Sequence, residues 1–236
     1  LDFTTGVDHT IYVGGYQNGD ASPSYLEDFR IYNKVLSGIQ IQQIYSEWTG
    51  DIVDKKDNLK LWYQLNNNPV GIPDYPIFAG HESNLVAWYK FDDGTNKGLN
   101  SATSTNSIGD ASLNGTPTLN SSEYVIGKSS YFSGSEDHSF VLDDNTDKLY
   151  NAIYQKTITI AFWCKSLSGG QLDYGRIFYG SPSGSATNVN SFQCVHWQSN
   201  QLQFIISNNN QDFTNNAIIT TTMPAFNTEW SHIVCV

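Results

Sequence analysis

The sequence predicts an antiparallel all-β protein, a two-sheet sandwich of jelly-roll type with one short helix near residues 37–46. Apolar and polar residues alternate with period 2 in several short segments, as expected of strands with one buried face. Charged residues make up 15% and aromatic residues 14% of the 236-residue chain. A helical bundle would carry far more Glu, Lys and Ala than this composition provides. The chain is also long enough to bury a substantial core.

The predicted strands are separated by turn-rich connections. They are residues 10–15, 27–33, 59–65, 85–91, 129–134, 139–142, 157–166, 175–181, 192–198, 202–207 and 230–236. In the segment TITIAFWC, Cys164 lies on the face formed by the alternate apolar residues, and Trp163 lies on the opposite face. In FQCVHWQ, Cys194 and Trp197 are likewise predicted to lie on opposite faces.

The segment YLEDFRIYNKVLSGIQIQQIY, residues 25–45, combines a strand, a turn and a short helix. Ser37 is a good N-cap, and Ile41, Ile44 and Tyr45 have the i, i+3, i+4 spacing of a helix with one docked face. Arg30 is expected to pair with a carboxylate or to extend over the sheet edge. Such a strand and helix are typical of the end of a domain, although here they lie near the start of the chain.

Two segments of the chain are near-copies of each other. NLKLWYQLNNN (58–68) and NLVAWYKFDDG (84–94) share Asn, Leu, Trp and Tyr at equivalent positions. The intervening residues contain Pro and Gly at the density of an ordered connector. We therefore place a domain start near Asn84, after a connector at 51–83 that holds an extra strand at 59–65.

The second region resembles the laminin-G-like group of concanavalin A-like lectin domains, in the order NLVAWYKFDDG, GKSSYFSG (127–134) and EWSHIVCV (229–236). TIYVGG (10–15) followed by residues 25–45 is similar to the closing pattern of the same family. The resemblance implies that 1–50 closes one module and that 84–236 forms the opening and central part of a second. We expect a window across tandem modules. Completion by neighbouring copies, or by circular permutation within one chain, is the alternative.

Composition and charge bear on partners and location. The net charge is −11, and the 12 basic residues are scattered, so no nucleic-acid footprint is present. No apolar run reaches the length of a membrane span, and the start LDFTTG does not resemble a signal peptide. We expect a processed or excised piece of an extracellular, cell-surface or virion-surface protein without membrane insertion.

Catalysis is not expected from the sequence. A retaining glycosidase needs two carboxylates about 5 Å apart. The acidic pairs Glu27–Asp28, Asp92–Asp93, Glu136–Asp137 and Asp143–Asp144 are adjacent, so on a strand their side chains point to opposite faces. No phosphate-binding, metalloprotease or nucleophile-elbow motif is present. A polysaccharide-cleaving glycoside hydrolase of concanavalin A-like fold is the alternative function.

Aromatic residues suggest carbohydrate binding, because sugars offer apolar C–H faces and hydroxyl rims. The candidates are Trp163, Trp197, Tyr174 and Tyr179, and packing in the core is the competing interpretation of each. No cofactor is certain. The resemblance makes calcium a candidate, with Asp28, Asp92 and Asp93 as ligands, and solvated turn carboxylates are the competing interpretation.

The expected function is therefore that of a non-catalytic surface protein in adhesion, carbohydrate recognition or structural assembly. Its expected partners are glycans, neighbouring subunits, or other copies or modules of the same protein in a filament or virion. The three cysteines lie in alternating apolar runs and are expected to be core residues, with one disulfide between neighbouring strands left open.

Overall fold

The computed structural model describes residues 9–15, 23–48, 82–125, 128–133, 138–143, 148–149, 158–167, 175–182, 191–197, 201–207, 217–222 and 228–236. The strands are β1 His9–Val13, β2 Ser24–Tyr32, β3 Leu85–Tyr89, β4 Ser112–Asn114, β5 Thr118–Asn120, β6 Ser129–Phe132, β7 Ser139–Asp143, β8 Thr159–Ser166, β9 Gly175–Pro182, β10 Ser191–Trp197, β11 Gln201–Ser207, β12 Ala217–Thr222 and β13 Ser231–Cys235. The helix α1 spans Gly38–Trp48, and a 3-10 turn at Glu82–Asn84 precedes β3.

The strands form two antiparallel sheets. The seven-stranded sheet has the order β12-β11-β10-β9-β1-β7-β4, and the six-stranded sheet has the order β13-β8-β2-β6-β5, with β3 paired to β2. The two sheets pack face to face around one apolar core. The predicted all-β sandwich with one short helix is confirmed.

Alternation along the strands decides which side chains enter the core. The face of β8 predicted from the sequence packs inward, with Phe162 and Cys164 fully buried. Phe178 on β9 lies at the centre of this core, with ring centroids 5.7 Å from Phe162 and 5.8 Å from Phe29. All three cysteines are free and buried, so within the described residues they behave as core side chains.

The N-terminal strands occupy inner positions in both sheets. β1 pairs with β7 and β9, and β2 pairs with β8, β6 and β3. Residues before 51 therefore share both sheets with residues after 84. The assignment of 1–50 and 84–236 to separate modules stays a prediction, and residues 51–81, including the predicted strand 59–65, lie outside the described residues.

A bulge in β2 sets which of its side chains face outward. Asp28 has a φ of 56°, in the left-handed region that non-glycine residues seldom adopt, and the register with β8 shifts between Glu27 and Arg30. Glu27 and Arg30, three positions apart, consequently lie on the same outer face, opposite Trp163 and Ala161 of β8.

Helix α1 covers part of that outer face. Its first turn is closed by a capping box, in which Gln40 N–H donates to Ser37 Oγ at 3.4 Å and Ser37 N–H donates to Gln40 Oε1 at 2.7 Å. Ile44 is buried in a second apolar cluster with Tyr32 and Trp163, and Ile41 packs against it. The N-cap and the docked face agree with the sequence prediction.

Three strands were not anticipated from the sequence. β4 and β5 have three residues each, too few for a period-2 pattern to emerge. β12 has the sequence AIITTT, and a strand could have been predicted there because the segment is rich in β-branched residues.

Candidate functional site

The outer face of the six-stranded sheet carries two groups of aromatic rings, which we together call the aromatic strip. The strip comprises Tyr25 of β2, Tyr45 of α1, Tyr131 of β6, Trp163 of β8, Trp230 just before β13, and His232 of β13. The strand register brings these residues together. Tyr25 lies opposite both Tyr131 and Lys165, and His232 lies opposite Trp163.

Within each group of the strip the rings are in contact. The Tyr25 centroid lies 5.3 Å from that of Tyr131 and 6.3 Å from that of Trp230. Farther along the strip, Trp163 and His232 are 5.0 Å apart, and Tyr45 lies 5.4 Å from Trp163. All these pairs are tilted, with interplanar angles between 30° and 44°. Such spacings fall within the range of favourable aromatic pairs.

Exposure varies along the strip. Trp163 is 4% exposed and forms its base, whereas Tyr45 is 42% exposed. Tyr25, Tyr131 and Trp230 are each partly exposed. The strip therefore offers ring surface to solvent on both sides of a buried tryptophan.

Two polar atoms within the strip lack a hydrogen-bond partner in the described part of the chain. They are Trp163 Nε1 and His232 Nε2. Burial, together with the positive charge of Arg30, lowers the pKa of His232 to about 4. At neutral pH the imidazole is consequently uncharged and can both donate and accept a hydrogen bond.

An ion pair borders the strip. Lys165 Nζ lies 2.6 Å from Glu123 Oε2, and the two side chains are 16% and 40% exposed. Asn120 Oδ1 accepts hydrogen bonds from the N–H groups of Ser122 and Glu123, which orders the turn that carries Glu123. A second carboxylate, Glu27, is buried and accepts a hydrogen bond from Val125 N–H at 2.6 Å.

A buried charge pair lies beside the strip. Arg30 Nε donates to Asp28 Oδ1 at 2.9 Å, and Trp88 Nε1 donates to the same oxygen. The Arg30 guanidinium also lies over the Trp88 ring, 4.6 Å from its centroid. Burial raises the pKa of Asp28 to about 6, and Arg30 limits the rise.

The structure separates the carbohydrate candidates predicted from the sequence. Trp163 belongs to the six-stranded sheet, whereas Tyr179 and Trp197 belong to the seven-stranded sheet, and Tyr174 lies outside the described residues. Tyr179 is 1% exposed. On its sheet, Tyr179 lies opposite Gln193, which accepts a hydrogen bond from Arg176 at 2.8 Å. The three described candidates therefore do not form one shared platform, and of these three only Trp163 lies in the aromatic strip.

The predicted calcium ligands each have a different environment. Asp28 is neutralised by Arg30, which a cation would have to displace. Asp92 is exposed, and Asp93 Oδ1 accepts hydrogen bonds from the N–H groups of Thr95 and Asn96, which lowers its pKa. No group of three or more His, Cys, Asp or Glu side chains among the described residues is arranged to hold a metal ion. A calcium site at these residues stays a prediction.

Comparison of the chain with protein-family models, with curated proteins and with solved structures finds no match. The laminin-G-like resemblance therefore stays a prediction. Within the described residues, no helix combines the length and the apolar character that crossing a membrane requires.

Sequence reasoning identified Trp163 but missed Tyr25, Tyr131 and Trp230 on the same face of the sheet. Trp230 and His232 are two positions apart in the predicted strand 230–236, so alternation along that strand could have placed them on the same face. The strand order was not available, because the pairing of β2 with β6 and β8 joins segments more than 100 residues apart in sequence.

Proposed function

We propose that this protein is a non-catalytic recognition module of a cell or virion surface that binds carbohydrate through the aromatic strip. The observation that carries the proposal is the contact row Tyr131–Tyr25–Trp230, whose Trp230 packs against the apolar cluster that contains the buried Trp163. Partly exposed rings offer the flat apolar surface on which the C–H face of a sugar packs.

Hydrogen-bonding groups at the strip support the same proposal. A sugar needs donors and acceptors at the edge of the aromatic platform, and Lys165 and Glu123, which are both partly accessible, provide both kinds. The Lys165–Glu123 ion pair carries no net charge, which suits a neutral ligand. The proposed ligand is therefore a neutral or weakly charged glycan that spans at least two of the rings.

The test is a glycan array probed with the full chain, followed by calorimetric titration of any ligand found. Trp230→Ala and Tyr25→Ala are expected to weaken binding about tenfold or more each, since each removes one platform ring. Trp197→Ala, on the seven-stranded sheet, is the matched control and should leave the affinity unchanged. Circular dichroism checks that every variant is folded.

Two outcomes contradict the proposal. One is that the intact protein binds no glycan on the array. The other is that Trp197→Ala abolishes binding while Trp230→Ala does not, which would place the site on the opposite sheet. A hydrolase is tested in parallel by release of reducing sugar, and turnover that disappears in Glu123→Gln would favour that alternative over a binding module.

A further inference from the structure

The outer edge of the seven-stranded sheet is formed by β12, the strand Ala217–Thr222. Within the described residues, β12 pairs only with β11. Alternate N–H and C=O groups of an edge strand point away from the sheet, so they are available to a further strand. Ile219 is 66% exposed and Ile218 is 47% exposed, one on each face of the strand.

The other described edges are shorter or covered. β4 and β5 have three residues each. The edge of β3 is covered by the loop that follows it, since Ser101 N–H donates to Trp88 C=O at 2.7 Å and Ile108 N–H donates to Val86 C=O at 2.9 Å. β13 is one residue shorter than β12, and the ring of Tyr45 from α1 packs on the face of its His232. β12 has none of these protections among the described residues, and its sequence contains no charged residue or proline.

Charge also distinguishes this edge from the rest of the protein. The chain has a net charge of −11, yet the three outermost strands, β10, β11 and β12, contain no Asp, Glu, Lys or Arg. Two copies of an acidic protein repel each other at most surfaces, and a neutral edge reduces that cost. A strand made of uncharged β-branched residues also places no like charges opposite each other when it pairs with its own copy.

We propose that β12 pairs antiparallel with β12 of a second copy of this chain, joining two seven-stranded sheets about a two-fold axis. The axis lies perpendicular to the joined sheet, so directly opposed side chains must point to the same side. That condition allows a register in which Ile219 lies opposite its own counterpart and Ile218 lies opposite Thr220. This register buries the most exposed apolar side chain of the strand against itself.

The expected dimer is weak. A six-residue strand pair buries less than the roughly 1,200 Å² of a standard protein interface. Dimerisation is therefore expected at tens to hundreds of micromolar. Because the two copies carry like charge and the contact itself is neutral, added salt screens the repulsion and should strengthen the dimer.

Sedimentation velocity of the full chain, from about 1 to about 300 µM, measures the association. The intact protein is expected to shift from monomer to dimer, more readily at high salt. Ile219→Lys should weaken association about tenfold or more, because it places two lysines opposite each other. The matched control is Ile39→Lys on α1, a similarly exposed isoleucine (72%) away from this edge. A protein that stays monomeric throughout, or an Ile219→Lys variant that dimerises like the intact protein, overturns the proposal.

Cysteine cross-linking tests the register independently. Cα atoms of opposed residues lie about 4.5–5.5 Å apart, within the reach of a disulfide. Under diamide oxidation, Ile219→Cys should cross-link to itself, and Ile218→Cys should cross-link to Thr220→Cys more readily than to itself. The native cysteines are buried, so the intact protein is the blank. Cross-linking of Ile218→Cys to itself with none for Ile219→Cys contradicts the proposed register.

Discussion

Two titratable groups at the outer face of the six-stranded sheet have pKa values shifted in opposite senses. Burial raises the pKa of Asp28 from 3.8 to about 6, against the opposing effects of Arg30, Trp88 and Lys90. Burial and Arg30 lower the pKa of His232 from 6.5 to about 4. The pH dependence of unfolding should therefore contain two contributions that oppose each other.

The sign of each contribution follows from proton binding. The folded state holds the Asp28 proton more tightly than the unfolded state, so this group favours folding below pH 3.8, and the benefit is lost as pH rises through 6. His232 resists protonation in the folded state, so its benefit is present above pH 6.5 and is lost as pH falls through 4. At about 1.4 kcal/mol per pH unit, each shift corresponds to about 3 kcal/mol. In the intact protein the two nearly cancel.

Single substitutions should expose each contribution. Asp28→Asn retains only the His232 contribution. As pH falls from 6.5 to 4, the free energy of unfolding of this variant should therefore drop about 3 kcal/mol further than that of the intact protein. His232→Gln retains only the Asp28 contribution. As pH falls over nearly the same interval, the free energy of unfolding of this variant should rise by about 3 kcal/mol relative to that of the intact protein. Urea denaturation at half-unit pH steps measures both.

The double variant Asp28→Asn/His232→Gln is the control, and its profile should again run parallel to that of the intact protein. All other carboxylates titrate in every variant, so the comparison isolates these two groups. If both single variants give profiles parallel to that of the intact protein, Asp28 and His232 do not titrate as the buried geometry requires.

Three further predictions concern the core. Gly14 has a φ of 93°, and an added Cβ would lie 2.0 Å from the Phe132 ring, so Gly14→Ala should lower the free energy of unfolding by more than about 2 kcal/mol. Gly38→Ala, where no atom lies within 4 Å of the added Cβ, should be neutral or stabilising, and similar urea midpoints for the two variants would contradict this. Phe178→Ala removes a ring from the centre of the core and should cost about 3–5 kcal/mol, whereas a loss below about 1 kcal/mol in urea denaturation would show that the core refills the space. Burial raises the pKa of the Cys164 and Cys194 thiols, and all three cysteines are buried, so none should react rapidly with Ellman's reagent at pH 8 before unfolding; fast labelling of the native protein would refute their burial.

The sequence identified much of the candidate site only as separate parts. Period-2 alternation correctly placed Phe162 and Cys164 on the core face of β8 and Trp163 on the other. It could not show that Trp163 and Trp197 lie on different sheets, because alternation describes one strand at a time. Nor could it show the bulge at Asp28, which brings Glu27 and Arg30 to the same face.

The sequence by itself determined the fold class, the positions of most of the described strands, and the capped helix that follows β2. These features depend on local patterns, in which side-chain alternation and a Ser37 cap act within a few residues. The tertiary structure alone decided that β1 and β2 lie inside the sheets, that Tyr25, Tyr131 and Trp230 meet, and that β12 forms an edge. Those features depend on strand pairing across long stretches of chain, and pairing is set by how the two sheets bury their apolar faces together rather than by any one segment.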